Sequence, residues 1–335
     1  MIDTSKIINQ NNFTLYHVFM QAAAKEREYF DVAFLQAYDG KKCPNLDYLL
    51  EEVEVKGQKR RRCEHICMDC GAYEASVHGY DIEIDPYIDY CNKYSDYLDW
   101  FCALDYIPRF NRGNTVQEEA KYSGEETWRR FLYMWDRVKN QEKMAWVYHG
   151  PEPLENIYRA MTWRDPKTGK GIGVLGFGMS SSSDTERDIS LLSYINRAVQ
   201  ETGYKGKIHL LGLQREKIVA LSPYITSSDS SSSIRFAVSG VLNYQNLQIK
   251  VSKTTKLNHK EGTVNTIYNP HVKAALVERL KELGLDYDID NLTTGQIWYW
   301  SCIERTLVFN DVAKTRKTTK RGLLCNIKKS QTTAQ

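Results

Sequence analysis

"HICMDCGAYEA", residues 65–75, holds a short apolar run that ends on Asp69, with Gly71 close behind. Cys63 lies just upstream, so cysteines 63, 67 and 70 fall in the spacing C-x3-C-x2-C. Two readings compete. As a loop, the stretch wraps a metal cluster held by Cys63, Cys67 and Cys70, since thiolates select such clusters. As a strand, it sets residues four apart roughly 13 Å from one another and delivers one carboxylate, Asp69, to whatever lies at its carboxyl end. The second reading commits the rest of the chain to a sheet.

Runs of the same texture recur. They are "DVAFLQAY" (31–38), "WFCALD" (100–105), "MAWVYHG" (144–150), "GIGVLGFG" (171–178), "KIHLLGL" (207–213) and "YITSSD" (224–229). Most are nearly continuous in apolar residues, as parallel strands buried on both faces require. "FAVSGV" (236–241) is the expected eighth strand, with "LQIKV" (247–251) as its competitor. Between them lie amphipathic segments that read as helices: 85–99, 115–140 and 185–203, the last stopped by Gly203. Strand and helix alternating in this way predict an α/β fold, a (β/α)8 TIM-like barrel, with a doubly wound open sheet as the alternative. The barrel is expected over 1–255. A C-terminal helical part packed on it (256–313, with helices at 269–284 and 293–317) and a basic tail (314–335) follow.

The 335 residues are enough for one large α/β domain, and 42% hydrophobic with 26% charged is a soluble globular composition. No run is long enough to span a membrane, and the start shows neither a basic nor an apolar leader segment. Eight scattered cysteines fit a reducing cytoplasm. The net charge of +3 is small but uneven. "KGQKRRR" (56–62) and "KTRKTTKRG" (314–322) concentrate it, and Lys59, Arg60, Arg61, Arg62, Lys317, Lys320 and Arg321 are candidates for phosphate contact. A solvated loop and a frayed tail are the plainer reading of both. "SSSSD" (180–184) and "SSDSSSS" (227–233) read as tight functional loops after ordered runs.

In a barrel of this kind chemistry sits at the carboxyl ends of the strands. Those ends here carry Asp69, Asp105, His149, Gly176 with Gly178, and Asp229. One aspartate in such a place is usually a turn former or helix cap. Three with a histidine are expected to converge on one mouth.

The same residues resemble the motifs of the tRNA-guanine transglycosylase superfamily. "MDCGAY" is similar to its "DSGGF/DSGAF" motif, "LDYIP" to its "LD", "YHG" to its "QG" and "LGFGM" to its glycine-rich base-binding turn. "HLLGL" followed by "SSDSSSS" is similar to its closing pair. The "GAY" and "DSSSS" variants look like the DNA-modifying, DpdA-like branch found in bacteria and phages. The resemblance covers roughly residues 30–240.

It implies base exchange in DNA, guanine giving way to a 7-deazaguanine such as preQ0 or a derivative, in the cytoplasm (the host's, were the gene a phage's). Asp229 would be the nucleophile and Asp69 the proton shuttle. Asp105 would accept the guanine edge, while His149 and the backbone at Gly176 and Gly178 would face the base carbonyl. The target nucleotide would have to leave the stack.

The departures are Cys70 for Ser, His149 for Gln, and Ile234 where the DNA branch tends to have Trp. The zinc motif of the tRNA enzymes, C-x-C-x2-C with a later His, is absent; only His259 and His271 stand in that region. No cofactor is expected. A tRNA-directed enzyme, a radical SAM enzyme built on the three cysteines, and a silent nucleic-acid-binding barrel stay as alternatives. The radical reading lacks the "GGE" motif that usually follows the next strand.

Overall fold

Eight parallel strands close into a barrel in the order β1-β10-β9-β8-β7-β6-β5-β2. The computed structural model describes residues 7–8, 12–21, 27–107, 115–179, 185–213, 215–245, 247–251 and 265–317. In chain order the elements are β1 (Thr14–Val18), β2 (Ala33–Ala37), α1 (Leu46–Leu50), β3 (Glu52–Val55), β4 (Gln58–Arg61), β5 (Ile66–Asp69), α2 (Ala72–His78) and α3 (Ile84–Tyr94). Next come β6 (Trp100–Cys102), α4 (Val116–Trp135), β7 (Met144–Tyr148), α5 (Glu155–Thr162), β8 (Val174–Gly178), α6 (Thr185–Thr202), β9 (Lys207–Leu211) and β10 (Ser227–Ser230). The chain ends with α7 (Ser232–Val238), β11 (Val241–Tyr244), β12 (Leu247–Lys250), β13 (Asn265–Thr266), α8 (Pro270–Leu283) and α9 (Thr294–Lys314). No helix is long and apolar enough to cross a membrane among the described residues.

Seven of the eight barrel strands lie in the runs read from sequence. The eighth is a correction. It is β1, "TLYHV", and not "FAVSGV", which folds as the last three residues of α7, the turn at Gly240 and the first residue of β11. "LQIKV" is a strand, but it pairs with β11 and β13 in a small separate sheet. The closing seam is β10 on β1, with Asp229 opposite Tyr16.

The connection from β1 to β2 carries no α-helix among the described residues, and α9 covers that seam instead. Trp298 stacks on Phe34 of β2 at 5.6 Å, and Thr306 Oγ1 lies 2.9 Å from His17 Nε2 of β1. Burial pushes His17 down to about 3, so this outward-facing ring is neutral. A capping box at Thr293 and Gln296 starts α9, and thirteen of its residues are buried. The C-terminal helix therefore completes the outer layer of the barrel, so a boundary at 255 divides a single packing unit. Residues 252–264, where that boundary falls, lie outside the described residues.

Strand register decides which side chains face the axis, because partners across a parallel ladder point the same way. Asp229 aligns with Tyr16, His209 with both Ser227 and Gly176, Gly176 with Val147, and Ala37 with Asp69. Asp69, Gly176, Gly178, His209 and Asp229 thus share the inward parity.

Candidate active site

Each acid reaches the mouth by a local device. β5 ends on Asp69, and the chain must turn at once, because Tyr38 packs against it. Gly71 makes that turn with φ +75°, and a Cβ there would stand 1.8 Å from the Tyr38 carbonyl oxygen. Only glycine fits. The Gly71 N–H then donates to Asp69 Oδ2 at 3.4 Å.

β9 ends on a similar device. Gly212, at φ +70°, aims its N–H at Asp229 Oδ1 (2.9 Å), and His209 Nε2 reaches the same oxygen at 3.1 Å. His209 is fully buried, with Nδ1 held 2.9 Å from Ser227 Oγ. Asp229 is thereby fixed through one oxygen.

Asp105 lies beyond the end of β6 and is buried. His149 Nε2 stands 2.7 Å from its Oδ2, and Cys70 Sγ donates to Oδ1 at 2.9 Å. Burial alone would raise this carboxyl. The His149 charge and the bonds from His149 and Cys70 outweigh burial and hold it below the usual carboxylate range. His149 answers in kind: burial acts to lower it, but the Asp105 carboxylate wins and raises it.

Asp69 behaves in the opposite way. Burial, then the Asp105 and Asp229 charges, push its carboxyl up to about 7. Crowded acids with one kept ready to hold a proton are what general acid–base chemistry needs at neutral pH.

A fifth ionisable group was not singled out from sequence. Glu152 is buried below the β7 loop, accepts from the His149 N–H at 3.3 Å and lies 3.5 Å from Ser123 Oγ. Burial carries it to about 7 against the pull of His149. Ser123 Oγ donates to the Tyr106 carbonyl at 2.7 Å, so α4 sets Glu152 and the His149 loop beside the Asp105 loop. His209, too, had no role assigned. Its signal is parity: it stands two residues before Leu211 on the inward face, level with Ser227.

The two glycines of β8 separate. Gly176 is mid-strand, with β7 on one side and β9 on the other, where main-chain groups belong to the ladder. Its contribution is an inward position without a side chain, which corrects the expectation of a backbone N–H facing a ligand there. Gly178 is at the strand end, where a Cβ would lie 3.6 Å from His149 Nδ1.

The basic hairpin at 56–62 does not reach this mouth. Lys59, Arg60, Arg61 and Arg62 belong to the β3–β4 hairpin and its exit, which feed the start of β5 at the opposite end of the barrel. Arg62 binds Glu51 Oε2 at 2.8 Å and the Glu28 carbonyl at 3.0 Å; Arg61 binds Glu64 Oε2 and the Tyr97 carbonyl. Arg60 bonds Gln58, and Lys59 sits across from Glu54. Arg61 and Arg62 are thus committed to the fold. Lys320, Arg321 and the side chain of Lys317 lie outside the described residues, as does "SSSSD" at 180–184.

The three cysteines are spread along one strand and its flanks. Cys63 donates to the Val32 and His65 carbonyls, Cys67 faces the barrel interior, and Cys70 is on Asp105. Burial pushes all three thiols up, away from the thiolate form a metal needs. Among the described residues no group of three His, Cys, Asp or Glu side chains could hold a metal ion.

Fold and site together define a (β/α)8 barrel with a carboxylate cluster at the carboxyl ends of its strands. Comparison with protein-family models and with curated proteins gives no match.

Proposed function

We propose that the protein exchanges guanine in DNA for a 7-deazaguanine base, preQ0 or a derivative, by double displacement through a covalent Asp229 intermediate. The observation that supports this best is the division of labour among three acids from three strand ends. Asp229 is aligned by His209 and Gly212, Asp105 is held ionised, and Asp69 is raised to about 7.

In the first displacement Asp229 Oδ2 attacks the sugar C1′, the bond to guanine N9 breaks, and guanine leaves with the electron pair. Asp69 supplies its proton. In the second, the incoming base gives its N9 proton to Asp69 and attacks C1′, and the Asp229 carboxylate departs. Two displacements retain the anomeric configuration, as in retaining glycosidases. His209 and Gly212 both bond Oδ1, which leaves Oδ2 to face the sugar. Asp105 accepts the paired donors of the guanine edge, which guanines and 7-deazaguanines share. The inward glycines of β8 leave space for the flat ring.

The spread of Cys63, Cys67 and Cys70 along a strand favours this reading over a cluster enzyme. DNA is preferred to tRNA on the "GAY" and "DSSSS" motifs and on the missing zinc motif. The test is incorporation of radiolabelled guanine into matched DNA and tRNA, with Asp229→Asn as the control. Label entering DNA with the wild type and not with the variant is expected. Label entering neither polymer overturns the proposal, and label confined to tRNA moves the substrate while sparing the mechanism.

A further inference from the structure

We infer that the His149 ring is a stand-in for the base: it takes the base's place on Asp105 once guanine has left, and swings away when the replacement enters. The inference rests on the proposed base exchange for its timing, and on the geometry of the mouth for the competition itself.

The ring and the base claim one gap. Nε2 reaches Asp105 Oδ2, beyond β6, at 2.7 Å. The other side of the ring faces β8, with Nδ1 3.6 Å from where a Gly178 Cβ would stand. A purine read by Asp105 and seated against the inward glycines of β8 needs the same space. A carboxylate oxygen accepts more than one donor. The bulk of the ring therefore excludes the base, whereas the Cys70 bond to Oδ1 does not.

The loop lets the ring move while its main chain stays. The His149 N–H is held by Glu152 Oε1 at 3.3 Å, and its carbonyl accepts from the Glu152 N–H at 2.9 Å. Arg187 closes over Gly150 so tightly that a Cβ there would collide with the guanidinium. The ring itself is tethered by one hydrogen bond among the described residues, the one to Asp105, and 15% of the side chain is exposed. Two side-chain torsions release it.

Double displacement gives such a device its work. After guanine leaves, C1′ is bonded to Asp229 and Asp69 has given up its proton. A water admitted there would lose a proton to Asp69, attack C1′ and expel the Asp229 carboxylate, leaving an abasic sugar. A ring that returns to Asp105 keeps that water out. It also costs base affinity. Seated about 90% of the time, the ring weakens the base about ten-fold, because apparent affinity scales with the competent fraction.

Equilibrium dialysis of radiolabelled guanine against the full chain tests the competition. His149→Ala should bind guanine about ten-fold tighter than the wild type. His149→Gln, neutral and without a ring, should tighten it as well, and keeps the test alive should the alanine variant fold poorly. In an oligonucleotide, abasic sites formed per base exchanged should rise about five-fold or more with either variant. That ratio does not depend on how much protein is folded, so a merely structural role would leave it unmoved. Guanine binding weakened or unchanged in both variants overturns the inference and leaves the proposed function standing, and so does an unchanged ratio. Tighter binding in both variants, with no exchange by the wild type in any polymer, overturns the proposed function and leaves the competition for Asp105 standing.

Discussion

The two ends of the barrel treat buried charge in opposite ways. At the amino end, among the described residues, Asp99 is met by donors and Arg316 by a carbonyl acceptor and a ring. Asp99 accepts from Tyr16 Oη at 2.9 Å and from His65 Nδ1 at 3.1 Å, and Arg316 donates to the Ile225 carbonyl at 2.6 Å while lying over the Phe13 ring. At the carboxyl end Asp69, Asp105, Asp229 and Glu152 are gathered around a single raised histidine, and two of the four acids are pushed up to about 7. Matched pairs hold a fold closed. Like charges held together cost stability and persist where chemistry uses them.

The comparison breaks most sharply on activity. Asp229→Asn removes the nucleophile but keeps its shape and its bond from Gly212, so base exchange should fall by about 10³-fold or more. The melting temperature should stay near that of the wild type. Single-turnover exchange of labelled guanine reads the first quantity and calorimetry the second. Exchange at the wild-type rate would remove Asp229 from the mechanism.

Asp99→Asn asks the converse question at the other end. It leaves the Tyr16 hydroxyl and the His65 ring facing an amide in place of a carboxylate. Unfolding in urea should show a loss of about 1–3 kcal/mol, with exchange changed less than two-fold once the protein is folded. A large loss of activity with unchanged stability would reverse the roles assigned to the two ends.

The pH dependence of stability separates the ends further. Asp69 is raised in the folded state from 3.8 to about 7, so between those values the native protein binds the extra proton. Stability therefore falls as pH rises from about 4 to about 7, and the full cost is present above 7. Asp69→Asn should stabilise the fold by on the order of 1–3 kcal/mol at pH 8 and by little at pH 4. Glu152→Gln should do the same in the same window, with part of the gain lost through the His149 contact. Thermal melts of both variants across pH check the sign; a gain at pH 4 equal to that at pH 8 would contradict it.

Much of this contrast was legible before the fold was known, because continuous apolar runs that stop on an acid state both a buried strand and its useful end. The misses have physical causes. β1 was hidden by His17, a polar residue in an apolar run, which is buried only because α9 arrives to bond it from 289 residues away. "FAVSGV" has strand composition, yet Ser231 to Val238 turns as helix and Gly240 at φ +64° breaks it. His209 and Cys70 gained roles only through register and a loop approach, which single-strand patterns do not encode. The basic hairpin misled for a related reason: charge is visible in sequence, but the end of the barrel it occupies is not.

The smallest effects test the opening stretch itself, which runs from one end of the barrel to the other. Cys63 and Cys70 are chemically alike, both buried and both protonated, but Cys63 donates to main-chain carbonyls near the amino end and Cys70 to the base-reading Asp105. Cys63→Ala should cost about 1 kcal/mol of stability, mainly in packing, and leave KM for the incoming base alone. Cys70→Ala removes one of the two side-chain donors described on Asp105, worth about 1 kcal/mol, so KM for the base should change by roughly five-fold while kcat for a saturating base holds. Cys70→Ser should restore it, since a hydroxyl donates along the same line. Iron analysis of anaerobically purified protein completes the comparison. Stoichiometric iron lost from both alanine variants would join the two cysteines in one cluster, and the distinction between the ends of this strand would fall with it.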